Sequence, residues 1–179
     1  MRTRMPTVEL LPITPSLVAA LGDADEFRRA CGADLGAHVE LVRQVVEQNE
    51  AHRARTGAPP EWGGFLAVAA APDGTSAAPP VVGTCAFVGE PDDERRVEIA
   101  YFTFPAFERR GYGAAMAGAL LARAAASGAV RRVLAFTLPE PGASTRILER
   151  HGFARTGTAV DPDAGTVWRW ERPVHTAAP

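Results

Sequence analysis

Hydrophobic residues recur along this chain at two spacings, one typical of helices and one of strands. In the segment 34–55 they return every three or four residues and so share one helix face: Leu35, Val39, Val42, Val45 and Val46. Short apolar runs bounded by glycine, proline or charged residues predict strands at 7–13, 65–70, 81–90, 95–104 and 130–139.

The remaining segments fit between these. Residues 14–32 predict short helices that break at Gly22 and Gly32, and the stretch APDGTSAAPP at 71–80 predicts a turn. An alanine-rich run that follows the sequence GYG predicts a long helix, and residues 142–153 predict a short one. The end of the chain predicts two strands joined by the turn DPDAG.

This order of elements predicts an α+β fold in a single domain over 1–179, with a central mixed, mostly antiparallel β-sheet flanked by helices. One β-α-β crossover lies in its middle. We divide the domain into an N-terminal strand with helices (7–64), a meander with the long helix (65–139), and a C-terminal helix with two strands (140–172).

Composition and charge narrow the class of protein. Hydrophobic residues make up 46% and charged residues 22% of the 179 residues, and the net charge of −2 argues against an extended nucleic-acid-binding surface. No run reaches the length of a membrane span, and the start MRTRMP lacks the apolar core of a signal peptide. The two cysteines and four histidines show no disulfide or metal spacing, so we expect reduced thiols, no metal and a cytoplasmic protein.

The sequence ERRGYG at 108–113 places charge and glycines directly before the long helix. The first amides of a helix are unpaired and carry partial positive charge, so they attract anions. Gly111 and Gly113 let the backbone approach a ligand closely, and small residues follow from Ala114 onward. Arg109 and Arg110 can add charge-assisted hydrogen bonds to phosphate oxygens. Together these features suggest a turn that binds a pyrophosphate.

Other classes of site fit this segment less well. The P-loop requires Gly-Lys-Ser/Thr, which the chain lacks, and no Gly-x-Ser-x-Gly elbow indicates a hydrolase. The dinucleotide fingerprint requires a third glycine where Met116 stands, and an acidic residue near the position of Arg131 and Arg132. A glycine turn that only starts a helix stays open from these residues alone.

The stretch VEIAYFTFPAFERRGYGAAM resembles the acetyl-CoA-binding segment of the GNAT acetyltransferase superfamily, whose pattern is Gln/Arg-x-x-Gly-x-Gly/Ala at a strand-to-helix turn. The stretch GASTRILERHGF is similar to a second segment of that family. Spacing and element order agree over roughly positions 80 to 172. By EIAY, GYG and ASTRILE, the chain is most similar to the ribosomal-protein N-terminal (alanine) acetyltransferase type.

This resemblance implies an N-acetyltransferase that moves an acetyl group from acetyl-CoA, its co-substrate, to a primary amine. It implies that the strand at 97–104 bulges and parts from the strand at 130–138, and that the pantetheine arm pairs with backbone there. The implied cofactor-binding residues are Phe102, Thr103, Phe104, Arg109, Arg110, Gly111, Tyr112, Gly113, Ala114 and Ser144. Residues 14–64 would form the acceptor side.

Glu98 and Ser144 are the candidate catalytic residues. Strand alternation places Glu98 on a face with Ala100 and Phe102, where desolvation would raise the pKa of the carboxyl group and suit a general base. The alternative is a solvated surface carboxylate paired with Arg96 or with a neighbouring strand. The resemblance implies that Ser144 touches the pantetheine or assists the departing thiol, whereas its position at a helix start equally suits an N-cap.

Three departures from the family pattern leave a second function open. Glu108 stands where the family has Gln or Arg, Gly142 stands where it has Asn, and Leu148 replaces the tyrosine that many relatives use as a general acid. A catalytically silent acyl-CoA-binding or regulatory domain is therefore the alternative to an enzyme. The amine acceptor stays open among peptide N-termini, amino sugars, polyamines and small metabolites, and the chain is expected to be a monomer or homodimer.

Overall fold

A computed structural model describes residues 5–70 and 77–174. Within these ranges a single mixed sheet contains strands β1 (Val8–Pro12), β2 (Gly64–Ala69), β3 (Val81–Phe87), β4 (Arg96–Thr103), β5 (Arg132–Thr137), β6 (Ala154–Asp161) and β7 (Gly165–Pro173). Their order across the sheet is β1-β2-β3-β4-β5-β7-β6. Only β4 and β5 pair in parallel, so the predicted α+β class with a mostly antiparallel sheet is confirmed.

The helices are α1 (Pro15–Ala20), α2 (Ala24–Cys31), α3 (Val39–Thr56), α4 (Tyr112–Ser127) and α5 (Ala143–Arg150). The helix predicted from residue 34 begins later than expected. Residues Gly36–His38 form a 3-10 turn, and Asp34 instead bridges to Pro80 beside the start of β3. Of the turn predicted at 71–80, residues 71–76 lie outside the described residues.

Two hydrophobic clusters, one on each side of the sheet, form the core. One joins α1, α2 and α3 to the sheet through Leu17, Phe27, Val42, Leu66 and Phe104. The other joins α4 and α5 to the opposite face through Val97, Ile99, Met116, Leu120 and Leu148. Because β2 and β3 are covered on both faces, their residues form continuous apolar runs and do not alternate with polar ones.

The sheet divides in its middle, between β4 and β5. These strands pair only from Arg96/Arg132 to Glu98/Leu134, although β4 continues to Thr103 and β5 to Thr137. Each strand keeps its antiparallel partner on the other side, which is β3 for β4 and β7 for β5. The predicted parting of the strands is therefore confirmed, with α4 as the crossover between them.

The bulge expected in β4 is absent. The register between β3 and β4 runs without a shift from Gly83/Thr103 to Phe87/Ile99. The gap opens because two intact halves of the sheet diverge after Glu98/Leu134, and no extra residue is needed in β4 to produce it. The alternation of side chains along β4 consequently keeps one phase to the end of the strand.

A substitution at Gly83 tests how closely β3 and β4 must approach at the end of the gap. A Cβ at this position would overlap the carbonyl oxygen of Phe102 and lie 3.0 Å from Cε of Met116. We expect Gly83→Ala to lower the free energy of unfolding by about 2–3 kcal/mol, since overpacking a filled site has that cost. Urea denaturation measures it, with Gly22→Ala as the control because a Cβ there meets nothing within 4 Å. Equal stability of the two variants would contradict this packing.

Candidate active site

A cleft of about 610 Å³ lies where β4 runs free of β5. It is bounded by the end of β4, the loop from residue 105 to 111, the first turn of α4 and the exposed side of α5. Its lining includes Tyr101, Phe102, Thr103, Phe107, Glu108, Arg109, Arg110, Gly111, Tyr112, Gly113, Ala114, Ser144, Arg146, Ile147 and Arg150. The structure therefore brings together nearly all the residues that the sequence assigned to cofactor binding.

The loop before α4 presents free backbone amides to this cleft. Gly111 caps the helix with φ +88°, a conformation that favours glycine, and Arg109 adopts φ +58° two residues earlier. The amide of Ala115 donates to the Gly111 carbonyl oxygen at 3.0 Å, and no side chain caps the helix. The amides of residues 112–114 thus precede the first intrahelical bond, an arrangement that suits an anion.

Arginine side chains give the cleft a positive charge. Arg109 and Arg110 come from the loop, as predicted, and Arg146 and Arg150 come from α5. Among the described residues of the lining, Glu108 is the single acidic one, and it is exposed. The sequence analysis missed Arg146 and Arg150, although their i, i+4 spacing indicates a shared helix face.

Gly113 has a packing role that the sequence analysis did not anticipate. A Cβ at Gly113 would lie 3.0 Å from Cδ1 of Ile147 and 3.3 Å from Oγ1 of Thr103. The missing side chain lets α4 approach both β4 and α5. At the next residue, the Ala114 carbonyl oxygen forms a hydrogen bond of 2.8 Å with the ring nitrogen Nε2 of His151. This bond links the end of α5 to the start of α4.

The backbone of β4 offers hydrogen-bonding groups to the gap, but not at every residue. The Phe104 amide donates to the Val82 carbonyl oxygen at 2.9 Å, and the Phe104 carbonyl oxygen accepts from the Phe107 amide. Phe104, which was predicted to pair with a ligand, therefore already has a protein partner for both backbone groups, and its side chain is fully buried. By strand alternation, the groups of Tyr101 and Thr103 point away from β3, toward the gap.

Tyr101 is a candidate functional residue that the sequence analysis did not identify. Its hydroxyl group is buried and hydrogen-bonds no group among the described residues. Burial raises the pKa of this phenol far above its ordinary value, and the nearby Ser144 side chain moderates the rise without forming a hydrogen bond of acceptable geometry. Tyr101 is therefore a protonated donor at neutral pH, and its hydroxyl group lies at the cleft without an acceptor among the described residues.

Ser144 faces the cleft and does not cap α5. The helix begins after Gly142, and Thr145 supplies the polar contacts, accepting from the Gly142 amide at 2.8 Å and donating to the Gly142 carbonyl oxygen at 3.0 Å. The N-cap interpretation of Ser144 is wrong, since Ser144 lies in the first turn with its side chain exposed. Leu148 is almost fully buried in the core and presents nothing to the cleft.

Glu98 lies at the last parallel pair, where the gap opens. Burial raises the pKa of its carboxyl group above the ordinary value of 4.5, and the charge of Asp161 adds to the rise. The Asp161 carboxylate accepts hydrogen bonds from the amides of Asp163 and Ala164, which lower its pKa and keep it ionised. Arg96 pairs instead with Asp92 and Glu94, so the alternative of an Arg96–Glu98 pair does not hold.

A second cavity, of about 360 Å³, lies on the α3 side of the sheet. It is lined by Val45, Gln48, Asn49, His52, Gly64, Thr84, Cys85, Ala86, Phe87, Val88, Ala100, Tyr101 and Phe102. Tyr101 and Phe102 line both this cavity and the basic cleft. The two spaces therefore meet at β4, at the level where β5 has diverged.

No group of three or more His, Cys, Asp or Glu side chains within residues 5–70 and 77–174 is arranged to hold a metal ion. Among the helices of the same part of the chain, none combines the length and apolar character needed to cross a bilayer.

Comparison with known proteins identifies the family. Residues 12–154 match the model of the acetyltransferase (GNAT) domain, and the chain belongs to this family. The resemblance noted from the two sequence segments is thus confirmed. A search of curated proteins finds no significant match.

Solved structures share the fold over almost the whole chain. RimL, a ribosomal L7/L12 alpha-N-protein acetyltransferase in complex with coenzyme A, has 20% identity and a TM-score of 0.61 and covers 94% of both chains. The acetyltransferase from Salmonella typhimurium that modifies the N-terminal serine of L7/L12 has 19% identity and a TM-score of 0.60, over 94% of this chain and 96% of that one. The microcin C7 self-immunity acetyltransferase MccE, bound to acetyl-CoA and AMP, has 12% identity and a TM-score of 0.62, over 94% and 93%.

The variant Tyr101→Phe tests whether the Tyr101 hydroxyl group contributes to the stability of the fold. Because this buried group has no partner among the described residues, Tyr101→Phe should leave the free energy of unfolding unchanged or raise it by up to about 1 kcal/mol. Thermal denaturation of the ligand-free protein measures this. A loss of stability greater than about 1 kcal/mol would mean that the hydroxyl group is bonded within the fold and is not held ready for a ligand.

Proposed function

We propose that this protein is an N-acetyltransferase that transfers the acetyl group of acetyl-CoA to a primary amine. The observation that carries the proposal is the parting of β4 from β5 between two cavities, one basic and one mostly apolar. A long thioester cofactor fits such a gap, with its diphosphate on one side of the sheet and its reactive end on the other.

The basic cleft supplies the binding groups for coenzyme A. The diphosphate would lie on the amides of residues 112–114 and be paired with Arg109, Arg110 and the α5 arginines. The pantetheine arm would run along β4 and hydrogen-bond the backbone of Tyr101 and Thr103, which face the gap. Coenzyme A in RimL and acetyl-CoA in MccE, which have the same fold, are consistent with this placement.

The reaction would take place where the two cavities meet at β4. A neutral amine attacks the thioester carbonyl carbon, the new C–N bond forms, and the C–S bond breaks after a tetrahedral intermediate. The proton lost from the amine goes to Glu98, directly or through water, and the departing thiolate takes a proton to become the coenzyme A thiol. Burial raises the pKa of the Cys85 thiol to about 12, so this cysteine offers no thiolate for an acyl-enzyme.

Tyr101 and Ser144 are the polar side chains placed near the thioester. The Tyr101 hydroxyl group is protonated and without a partner among the described residues, so it can donate a hydrogen bond to the developing oxyanion or to the departing sulfur. It would compensate for the family tyrosine that Leu148 replaces. Ser144 lies beside it at the cleft surface and would orient the hydroxyl group or the pantetheine.

A catalytically silent acyl-CoA-binding domain is the second candidate, and the buried Leu148 in place of a general acid favours it. Binding and turnover distinguish the two. Calorimetry with acetyl-CoA tests binding, and a thiol reagent detects coenzyme A released on a panel of amines. Tight binding without thiol release on any amine would support the silent domain.

A charge reversal at the anion-binding turn tests the cofactor site. Gly111→Asp adds a carboxylate to the turn proposed to bind the diphosphate, and repulsion of about 4 kcal/mol at 4 Å in a partly screened site would weaken binding about 100-fold or more. Gly111→Asn is the matched control, because both side chains meet the same strain at φ +88° and the same contact with Pro6, which lies 3.1 Å from the added Cβ, and only one is charged. Calorimetric titration with coenzyme A measures both. Equal affinities of the two variants would refute this location for the diphosphate.

The raised pKa of Glu98 predicts opposite effects on rate and stability. The folded state favours the protonated carboxyl group. The stability that this group contributes is therefore fully present below the pKa of the unfolded state, and it is lost as the pH rises through the pKa of the folded state, which lies above 4.5. At pH 7 we therefore expect Glu98→Gln to raise Tm. The same variant should lower kcat about 100-fold, the usual contribution of a general base, and leave acetyl-CoA affinity unchanged.

The pH profile provides the control for this prediction. The wild-type rate should fall as the pH drops through the folded pKa of Glu98, and the Glu98→Gln enzyme should lack that limb. The ratio of the two rates cancels the ionisation of the amine, which is common to both. A ratio that does not change with pH would remove Glu98 from the role of base.

A further inference from the structure

The cavity on the α3 side contains two buried hydrogen-bond donors without partners among the described residues. Asn49 and His52 lie three residues apart on α3 and so project from one side of the helix into the same cavity. Asn49 Nδ2 and His52 Nε2 are both buried, and neither bonds any group within residues 5–70 and 77–174. Buried polar groups in folded proteins are nearly always satisfied, so two neighbouring exceptions in one cavity point to a ligand.

The contacts of His52 determine which ring nitrogen carries the proton. Nδ1 lies 3.1 Å from a guanidinium nitrogen of Arg55. Because a guanidinium group can only donate, Nδ1 accepts, and in the neutral ring Nε2 carries the hydrogen. Nε2 lies near the turn after β3, 3.8 Å from the position that a Cβ at Gly89 would take. His52 therefore presents a donor.

The orientation of the Asn49 amide follows from its other contact. The Gly64 amide donates to Asn49 Oδ1 at 2.7 Å, and a Cβ at Gly64 would collide with this oxygen. The oxygen is thus occupied by the backbone, which leaves the NH₂ group as the free end. Asn49 also presents donors, so both unpartnered side chains require an acceptor from the ligand.

The rest of the cavity is mostly apolar. Val45, Phe87, Val88, Ala100 and Phe102 are among its lining residues, and none of the described residues that line it carries a carboxylate. Glu98 adjoins this wall, because the amide of the lining residue Val88 donates to the Glu98 carbonyl oxygen at 3.0 Å and strand alternation places the Glu98 side chain on the same face of β4 as Ala100 and Phe102. The cavity therefore has a donor-bearing end that suits a carbonyl oxygen, and the amine of a ligand would lie toward the proposed base.

We infer that this cavity binds the acceptor, and that the acceptor is an apolar amino-acyl compound, meaning a single amine that carries a carbonyl or carboxylate oxygen on an apolar body. The inference rests on the proposed acetyltransferase function. A polyamine or amino sugar would place further ammonium groups against the donors of Asn49 and His52, with no carboxylate in the lining to pair with them. A volume of about 360 Å³ is at the small end of ligand cavities and fits one apolar residue with its carbonyl group.

Two substrates that differ in one group test this assignment. Leucinamide and isopentylamine share the amine and the alkyl chain, and only leucinamide carries the carboxamide. We define the preference as kcat/KM for leucinamide divided by kcat/KM for isopentylamine. Because the two amines differ in basicity, the measured quantity is the preference of the wild type divided by the preference of a variant. The intrinsic reactivity of each amine cancels in that quotient.

The variants remove one donor each. His52→Leu removes the Nε2–H group, and Asn49→Asp keeps an oxygen for the Gly64 amide while replacing the NH₂ group with an acceptor. We expect each to reduce the preference for leucinamide about 10-fold, with the KM for acetyl-CoA unchanged. Gln44→Leu is the control, since this exposed side chain on α3 is not in the cavity lining and its removal should leave the preference unchanged.

Stability separates recognition from a structural role. Because His52 Nε2 has no partner among the described residues and Nδ1 contacts only the exposed Arg55 side chain, His52→Leu should change Tm little or raise it. Ligand-observed NMR in the presence of coenzyme A gives a second readout that does not need turnover. If both variants bind leucinamide more weakly than wild type, the assignment of the cavity as the acceptor site is supported, even when no thiol is released. The lack of thiol release would contradict only the proposed transferase function.

Several results would overturn the inference. The first is an unchanged preference in both variants. The second is a wild-type enzyme that uses spermidine or an amino sugar better than leucinamide. The third is a lower Tm of His52→Leu together with an equal decrease of kcat/KM for both substrates. Leucine and a tripeptide with N-terminal leucine distinguish the source of the amino-acyl group. Preference for leucine indicates a free amino acid, and preference for the tripeptide indicates a peptide N-terminus.

Discussion

The separation of β4 from β5 is the constraint on which the site depends. A strand in the middle of a sheet normally satisfies its backbone on both sides, and unpaired buried amides and carbonyls cost free energy. Here β4 is held by β3 and β5 by β7, so each half of the sheet is stable without pairing across the gap beyond Glu98/Leu134. The unpaired edge of β4 remains available for an extended ligand with amide groups of its own.

The alternation of side chains along β4 gives the two sides of that gap different chemistry. Tyr101 faces the side of α4 and α5, where the first helical turn and four arginines favour an anion. Ala100 and Phe102 face the side of α3, where the surface is apolar with a few donors. A single strand therefore separates a region suited to a diphosphate from one suited to a small acceptor, and places both beside the same opening.

Unsatisfied polar groups occur where the proposed ligands would bind. Four buried side-chain atoms have no hydrogen-bond partner in the described part of the chain. Three of them belong to Asn49, His52 and Tyr101, which line the two cavities, and the fourth is Nε of Arg169 on β7. Each such group costs about 1–3 kcal/mol if it is left unmet. The fold tolerates that cost because the core clusters on both faces of the sheet are continuous and well buried. A ligand with complementary acceptors would recover it as binding free energy.

The sequence by itself determined the order of the elements, the α+β class and the loop 108–113, because hydrophobic periodicity, glycine breaks and helix starts are local signals. It also placed Glu98 on the partly buried strand that leads into the cleft, since alternation requires only neighbouring residues. Only the tertiary structure decided that Arg146 and Arg150 join the cleft, that Phe104 is taken up by the core and that Asn49 and His52 share a cavity with Tyr101. These facts depend on where α3, α5 and the two halves of the sheet meet, and contacts between segments distant in the chain leave no periodic signal in a single sequence.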